Sequence, residues 1–241
     1  MAKKIVKWLL LIIAGFFVLA AGFGIISSLP VLSMDPVETG QIDDLNIYVV
    51  KNRIVNVYLV KTYNGYIMVD AGSDSKKLVS SLKQAGISIN DVRWIFLTHS
   101  DGDHVAAVTM FPDAEILMNE DELPLVNGTV KRNAFGKNKM PSRFDVYSMN
   151  LLSDGQVLSC NGTSVQCIKA PGHTNGSMVY LIDGQYLFTG DAFKVKNEKM
   201  KVHPYTMDRK LAKKTIEQIH GILDSAVVVF TSHYGYYKDL P

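Results

Sequence analysis

The sequence predicts an α/β domain in which β-sheets carry α-helices on their outer faces, with one transmembrane helix ahead of it. Strand-like runs come in pairs around Asn-Gly and Asp-Gly turns, which favour β-hairpins. Helical patterns are interspersed among these pairs, an order typical of one domain of sheets flanked by helices. An uncharged run of 19 residues, from Trp8 to Ile26, stands apart near the amino terminus.

The amino-terminal run is long enough to cross a membrane. As a helix it spans about 28 Å, close to the hydrocarbon thickness of a bilayer. Three lysines precede the run and no basic cluster follows it, so its amino terminus is predicted to face the cytoplasm. Residues 1–30 are therefore predicted to be a membrane anchor or an uncleaved signal, with the body outside the cytoplasm. Cleavage at the small residues 20–22 would instead release a secreted protein.

Residues 31–45 are mixed and polar and are predicted to be a linker, and residues 46–241 are predicted to be the body. Its opening strand runs meet a turn at Asn64, which is followed by glycine, and predict an antiparallel meander. A helix capped by Ser73 comes next, and the apolar run from Trp94 then predicts a buried strand.

The second half continues the same pattern. Hairpins are predicted around Asn161 and Asp183, each followed by glycine. An amphipathic pattern predicts a helix from about Asp208 to Leu223, and the run AVVVFTS after it predicts the last strand.

Charge and cysteine content exclude some functions. Outside the first thirty residues the chain has 22 Lys and Arg against 23 Asp and Glu, so it lacks the basic excess of a broad nucleic-acid surface. Cys160 and Cys167 cannot form a disulfide framework and lack the spacing of a zinc knuckle. A two-residue turn would pair Cys160 with Thr163, so two unpaired thiols are predicted.

The densest polar cluster follows the most apolar strand. His99, Asp101, Asp103 and His104 lie within six residues, and Gly102 lets the backbone turn sharply between them. Imidazole and carboxylate groups suit zinc, and also iron and manganese.

Three more residues of these types follow apolar runs in the same way. They are His173 in APGHTNGS, Asp191 in LFTGDAF and His233 in VVVFTSHYG. A single histidine after a strand is usually structural, but four of the six histidines and three aspartates share this location. Together they predict a metal site at the ends of the strands.

These motifs resemble the metallo-beta-lactamase superfamily of hydrolases, whose signature is a His-x-His-x-Asp-His loop followed by separate His, Asp and His ligands. The loop here reads HSDGDH, and the resemblance runs from about residue 46 to His233. It includes Asp70 and Gly72, which match the Asp-x-Gly of the family at a strand end. The resemblance implies a four-layer αβ/βα sandwich of two mixed sheets with a two-metal site at the sheet edge.

The resemblance also implies ligands for two divalent ions, with zinc as the first choice and manganese or iron as alternatives. The first ion would be held by His99, Asp101 and His173, and the second by Asp103, His104 and His233, with Asp191 bridging the two. Asp101 stands where the family usually has a second histidine. Its added negative charge makes the first position a harder ligand environment, in the sense of hard and soft ligands. This favours manganese or iron or lowers the affinity for zinc.

The implied reaction is metal-assisted hydrolysis. Two metal ions would lower the pKa of a water between them and polarise the bond under attack. Asp103 is predicted to orient that water or accept its proton, and Asp70 to hold a ligand histidine.

Four residues are candidates for substrate contact. Lys194, Lys196 and His203 lie in the segment that leaves the Asp191 strand, where they would receive a carboxylate or phosphate. Tyr234 follows the last ligand and is a candidate donor to an oxyanion. The alternative to substrate contact is that the two lysines are simply solvated and that the ring of Tyr234 packs against its neighbours.

The predicted function is hydrolysis of an ester, thioester, lactone or lactam of a small substrate by a membrane-anchored or secreted enzyme. A true beta-lactamase and a phosphodiesterase or nuclease on the same fold are the alternatives. A redox di-iron protein and a non-catalytic binding protein are less favoured, because no flavin-binding partner domain is evident and at least six of seven ligand positions are retained.

Overall fold

Two β-sheets form the centre of the computed structural model, which describes residues 30–42, 45–132, 148–223 and 227–238. Residues from Asp35 onward form one compact unit. The apolar run of residues 8–26 lies outside the described residues. No helix in the described part of the chain is long and apolar enough to cross a membrane.

The first sheet has seven strands in the order of the chain, and it changes from antiparallel to parallel at its middle. The first four strands pair antiparallel, and the second to fourth of them are the meander predicted around Asn64. The last four pair parallel. The strands are β1 (Gly40–Gln41), β2 (Ile47–Asn52), β3 (Val55–Thr62), β4 (Gly65–Val69), β5 (Val92–Phe96), β6 (Glu115–Asn119) and β7 (Asn150–Leu152).

The second sheet has six strands and is also mixed. Its strands in chain order are β8 (Val157–Cys160), β9 (Thr163–Lys169), β10 (Met178–Ile182), β11 (Tyr186–Phe188), β14 (Val228–Thr231) and β15 (Gly235–Tyr237). Their order in the sheet is β15-β14-β11-β10-β9-β8, with a parallel pair only between β11 and β14. A separate hairpin consists of β12 (Lys194–Lys196) and β13 (Lys199–Lys201). Cys160 pairs with Thr163, as predicted, and both cysteines are free and buried.

Among the described residues, four α-helices lie between the strands, and two of them are long. They are α1 (Ser75–Gln84), α2 (Gly102–Val105), α3 (Leu123–Val126) and α4 (Arg209–Ile222). The cap of α1 is Asp74, whose side chain accepts a hydrogen bond from the Lys77 backbone, so the prediction of Ser73 was wrong by one residue. Ser73 instead donates its hydroxyl to the Asn52 carbonyl. The prediction of α4 is confirmed, because Asp208 caps it and Leu223 ends it.

The core has three apolar layers between and outside the two sheets. Along β3, Tyr58 and Val60 face the second sheet while Val57 and Leu59 face α1, since successive side chains of a strand point to opposite faces. The other face of the second sheet packs against Ile219 of α4. The result is the predicted helix-sheet-sheet-helix sandwich.

Part of the stretch predicted as a linker packs on this sandwich. The Asp35 backbone donates to the carbonyl of His233, and the Val37 backbone donates to the side chain of Asn56. Strand β1 then extends the first sheet by pairing with β2.

Candidate metal centre

The predicted ligands lie on loops that leave the carboxyl ends of strands. The segment after β5 carries His99 and Asp101 on a loop and Asp103 and His104 in α2, and the loops after β9, β11 and β14 carry His173, Asp191 and His233. Strands β9, β11 and β14 run in one direction, so their carboxyl ends meet at the same edge of the second sheet. Open sheets commonly bind ligands at such an edge, where the carboxyl ends of several strands converge.

All seven predicted ligands come together there, and His203 joins them. Their side chains form overlapping groups of three whose ligand atoms lie within 4.8 Å of one another. We call His99, Asp101 and His173 the first ligand set, and Asp103, His104, Asp191 and His233 the second ligand set.

The spacing of the second ligand set fits a divalent ion. Donor atoms around tetrahedral zinc, each about 2.0–2.2 Å from the ion, are separated by about 3.3–3.6 Å. The Asp191 carboxylate lies 3.7 Å from His104 Nε2 and 3.2 Å from His233 Nε2. The Asp103 carboxylate lies 3.8 Å and 3.6 Å from the same two nitrogens. His104 Nε2 is buried and has no hydrogen-bond partner among the described residues, as expected of an atom aimed at an ion.

The two histidines of the second ligand set are held through their other ring nitrogen. His104 Nδ1 lies 2.8 Å from the Asp70 carboxylate, and His233 Nδ1 lies 2.5 Å from the carbonyl of Ile54. Such contacts fix the orientation of a ligand ring and raise its basicity. Asp70, at φ 60°, also accepts two hydrogen bonds from Thr98, so a strained backbone is fixed by these partners.

A close backbone approach holds the Asp191 loop in place. Gly190 adopts φ 53°, and a Cβ atom there would lie 2.4 Å from the Thr98 hydroxyl. Only glycine therefore allows Asp191 to sit against the loop that carries His99.

Carboxylates set the charge of the second ligand set. Burial opposes the charged form of His104, but Asp70, Asp103 and Asp191 raise its pKa to about 10. Burial also opposes the charged form of His233, and Asp191 raises the pKa of that ring. Although burial opposes its ionisation, the surrounding histidines lower the pKa of Asp191 well below its ordinary value. The metal-free centre is therefore anionic enough to hold an extra proton on His104.

The first ligand set is already paired with a cation. Arg132 donates from Nε and Nη2 to both oxygens of Asp101, at 2.7 Å and 2.8 Å. Its Nη2 also lies 2.9 Å from His173 Nε2 and 2.9 Å from the carbonyl of Tyr205. Burial raises the pKa of Asp101, but His173, His99 and Arg132 outweigh it and lower that pKa. Burial lowers the pKa of His173 to about 4, so the ring is neutral and can accept the guanidinium N–H.

His203 lies among the ligands rather than on an open substrate surface. Its side chain is 1% exposed, and its Nδ1 lies 3.6 Å from the Asp191 carboxylate. The ring stacks on His233 and meets His173 edge to face. Burial lowers its pKa to about 3, so the neutral ring can act as a ligand. The prediction that His203 receives an anionic substrate directly is corrected accordingly.

The other predicted substrate residues differ in their position. The Lys194 ammonium lies 5.8 Å from the ring centroid of Tyr234, and that ring lies beside His203 and His233. Lys194 is partly buried, whereas Lys196 is exposed on the β12–β13 hairpin. Lys194 and Tyr234 thus border the centre, and the described contacts do not connect Lys196 with it.

Two residues of the centre, Glu122 and Arg132, were not predicted from the sequence. Glu122 is fully buried and accepts hydrogen bonds from the Ser100 backbone and hydroxyl, the Thr174 hydroxyl and the Gly176 backbone. It thereby connects the loop of the first histidines with the loop of His173. Arg132 lies in a polar loop without any motif, and only the unusual carboxylate at position 101 signalled a need for a cation.

Comparison with known proteins places this geometry in a family. A family model described as the metallo-beta-lactamase superfamily matches residues 50–233. An atrochrysone carboxyl ACP thioesterase of Emericella nidulans is 28% identical over 141 residues, covering 56% of this chain and 39% of that protein. The probable polyketide biosynthesis zinc-dependent hydrolase PksB of Bacillus subtilis is 30% identical over 128 residues, covering 52% and 48%. The chain thus spans less than two thirds of the length of these relatives.

Solved structures share the fold. BJP-1, a subclass B3 metallo-beta-lactamase of Bradyrhizobium japonicum, has a TM-score of 0.64 at 20% identity, over 83% of this chain and 79% of that chain. At this identity the likeness supports the fold alone. Because the family model covers most of the sandwich and every loop of the centre, the chain belongs to the metallo-beta-lactamase superfamily of hydrolases.

Proposed function

We propose that the chain is a metal-dependent hydrolase that cleaves an ester-like bond of a small substrate, with zinc in the second ligand set. One observation carries the proposal: two carboxylates and two imidazoles converge with donor spacings of 3.2–3.8 Å. Manganese or iron would suit the same donors. The predicted first ion would need the first ligand set, in which Asp101 is paired with Arg132.

The side chains around the ion would have different roles in the reaction. When bound, the metal would supply a Lewis acid for the bond under attack and an acidic water. The Asp103 side chain is 31% exposed, compared with 5% for Asp191, so it is the ligand carboxylate that a water or substrate can reach. Asp103 would orient the attacking water and accept its proton, while Asp70 holds the ring of His104 in place.

A thioester is the substrate class that the relatives favour. One relative is named an atrochrysone carboxyl ACP thioesterase, and another a probable polyketide biosynthesis zinc-dependent hydrolase. Lys194 beside Tyr234 would attract an anionic group of such a substrate to the rim of the centre. A lactam substrate has support only from the fold of the beta-lactamase neighbours, and a nucleic-acid substrate is disfavoured by the neutral body.

Localisation follows from the amino-terminal run of the sequence. We propose that this run anchors the chain in a membrane with the catalytic body outside the cytoplasm, or is cleaved to release it. Protease treatment of intact cells should digest the body. Protection until the membrane is broken would contradict the proposal.

The experiment for the activity compares three variants with the wild type on a panel of thioesters, esters, lactones, lactams and phosphodiesters. Asp103→Asn and His104→Ala are expected to lower kcat/KM at least about 100-fold on the best substrate, because each removes a ligand or proton acceptor. His220→Ala, on the exposed face of α4, is the matched histidine control and should retain full activity. Unchanged turnover and metal content in both site variants would contradict the proposed function.

A further inference from the structure

The guanidinium of Arg132 contacts two of the three residues of the first ligand set, Asp101 and His173. It binds both oxygens of Asp101 in the two-pronged geometry that guanidinium and carboxylate groups favour, and it meets the Nε2 lone pair of His173. The Arg132 side chain is only 10% exposed. Its bond to the Tyr205 carbonyl anchors it from a second segment of the chain.

The atoms that Arg132 uses are the atoms that a first metal ion would need. An ion there would bind His173 Nε2 and an oxygen of Asp101, which lie 3.1 Å apart. Each of these atoms already lies within hydrogen-bond distance of Arg132 Nη2. An arginine does not deprotonate in proteins, so a dication would be repelled by a fixed positive charge at contact distance.

The second ligand set keeps all of its donors. The contacts of Arg132 with the described residues reach Asp101, His173 and Tyr205, and none of the four residues of the second set. A carboxylate at position 101 can accept both arms of the guanidinium, which an imidazole cannot. Asp101 and Arg132 therefore form one unit.

We infer that Arg132 replaces the first metal ion, so that the chain binds a single divalent ion in the second ligand set. The inference rests on the proposed metal-dependent hydrolysis and specifies its metal requirement. Arg132 supplies at the first position the fixed positive charge that the first ion would have supplied, and it holds Asp101 and His173 in place.

The test counts metal ions in the full-length chain. Metal-stripped protein is incubated with excess zinc and desalted, and zinc per chain is measured by elemental mass spectrometry. The wild type is expected to hold one ion and Arg132→Met two, because the shorter side chain without charge frees Asp101 and His173. Lys131→Met, which removes the neighbouring exposed charge, is the matched control and should hold one.

A rescue experiment separates the charge from the packing of the side chain. Adding millimolar methylguanidinium to Arg132→Ala should return the count from two ions to one. Arg132→Lys, which keeps the charge, should hold one ion, and it tests the inference should the other variants fail to fold.

The outcomes distinguish this inference from the proposed function. Two ions in the wild type would overturn the inference and leave the hydrolase intact. One ion in both the wild type and a folded Arg132→Met protein would also overturn it, because Arg132 would then not be what excludes the other ion. No ion in any of the proteins would contradict the proposed function itself.

Discussion

Glu122→Gln should destabilise the centre although it changes only one oxygen into an amide. Each carboxylate oxygen of Glu122 accepts from two donors: Oε1 from the Ser100 backbone and hydroxyl, and Oε2 from the Thr174 hydroxyl and the Gly176 backbone. A glutamine has one accepting oxygen, so its NH₂ group must face one of the two backbone N–H groups. A hydroxyl can rotate to accept, but a backbone N–H cannot, and a buried donor left unpaired costs about 1–3 kcal/mol.

Thermal unfolding of the metal-free protein measures this cost. For a chain of this size about 1 kcal/mol corresponds to about 2–4 °C, so the midpoint should fall by about 2–12 °C. Glu120→Gln changes an exposed carboxylate in the same turn and should leave the midpoint within about 1 °C, since substitutions on the surface are nearly neutral. Equal midpoints for Glu122→Gln and wild type would refute the assignment of Glu122 as the group that connects the two ligand loops.

Four further outcomes follow from the same structure. Zinc affinity should rise about tenfold per pH unit up to about pH 10 in titration calorimetry, because zinc must displace the proton of His104, whose pKa is about 10. The same proton stabilises the metal-free fold below about pH 6.5, and this stabilisation is lost as the pH rises through 10. Asp70→Asn should weaken zinc binding about 10–100-fold, measured by competition with a chelating dye, because the His104 ring loses the carboxylate that fixes its orientation. Cys160 and Cys167 should resist a disulfide reagent at pH 8 until the chain unfolds, because burial raises their pKa values to about 11 and 12.

The parts of the structure that the sequence predicted are those with a local physical cause. An Asn-Gly or Asp-Gly pair between apolar runs determines a hairpin within a few residues, and the pairing of Cys160 with Thr163 follows from turn length alone. Ligand residues could be recognised because each follows a strand, and the ends of parallel strands meet at one edge. The cap of α1 was missed by one residue because serine and aspartate suit that role about equally.

The residues that the sequence did not reveal act across long separations in the chain. Glu122 bonds to residues 22 and 54 positions away, and Arg132 lies 31 positions from Asp101. No periodicity or motif marks such partners, since the contact depends on how two loops meet after folding. His203 appeared as part of a basic, solvated segment, and only the folded chain brings it against Asp191.

The centre compensates the negative charge of its buried carboxylates with two kinds of positive charge. One is a proton that can dissociate, and the other is a guanidinium that stays charged. Buried anions need compensation in the metal-free chain. Around the second ligand set this compensation is a proton on His104, which a metal ion can displace. Around Asp101 it is the guanidinium of Arg132, which cannot lose its proton and is tied to the Tyr205 carbonyl. The second position is therefore the one at which a metal ion can exchange with solvent, and its occupancy should follow pH while the charge beside Asp101 stays constant.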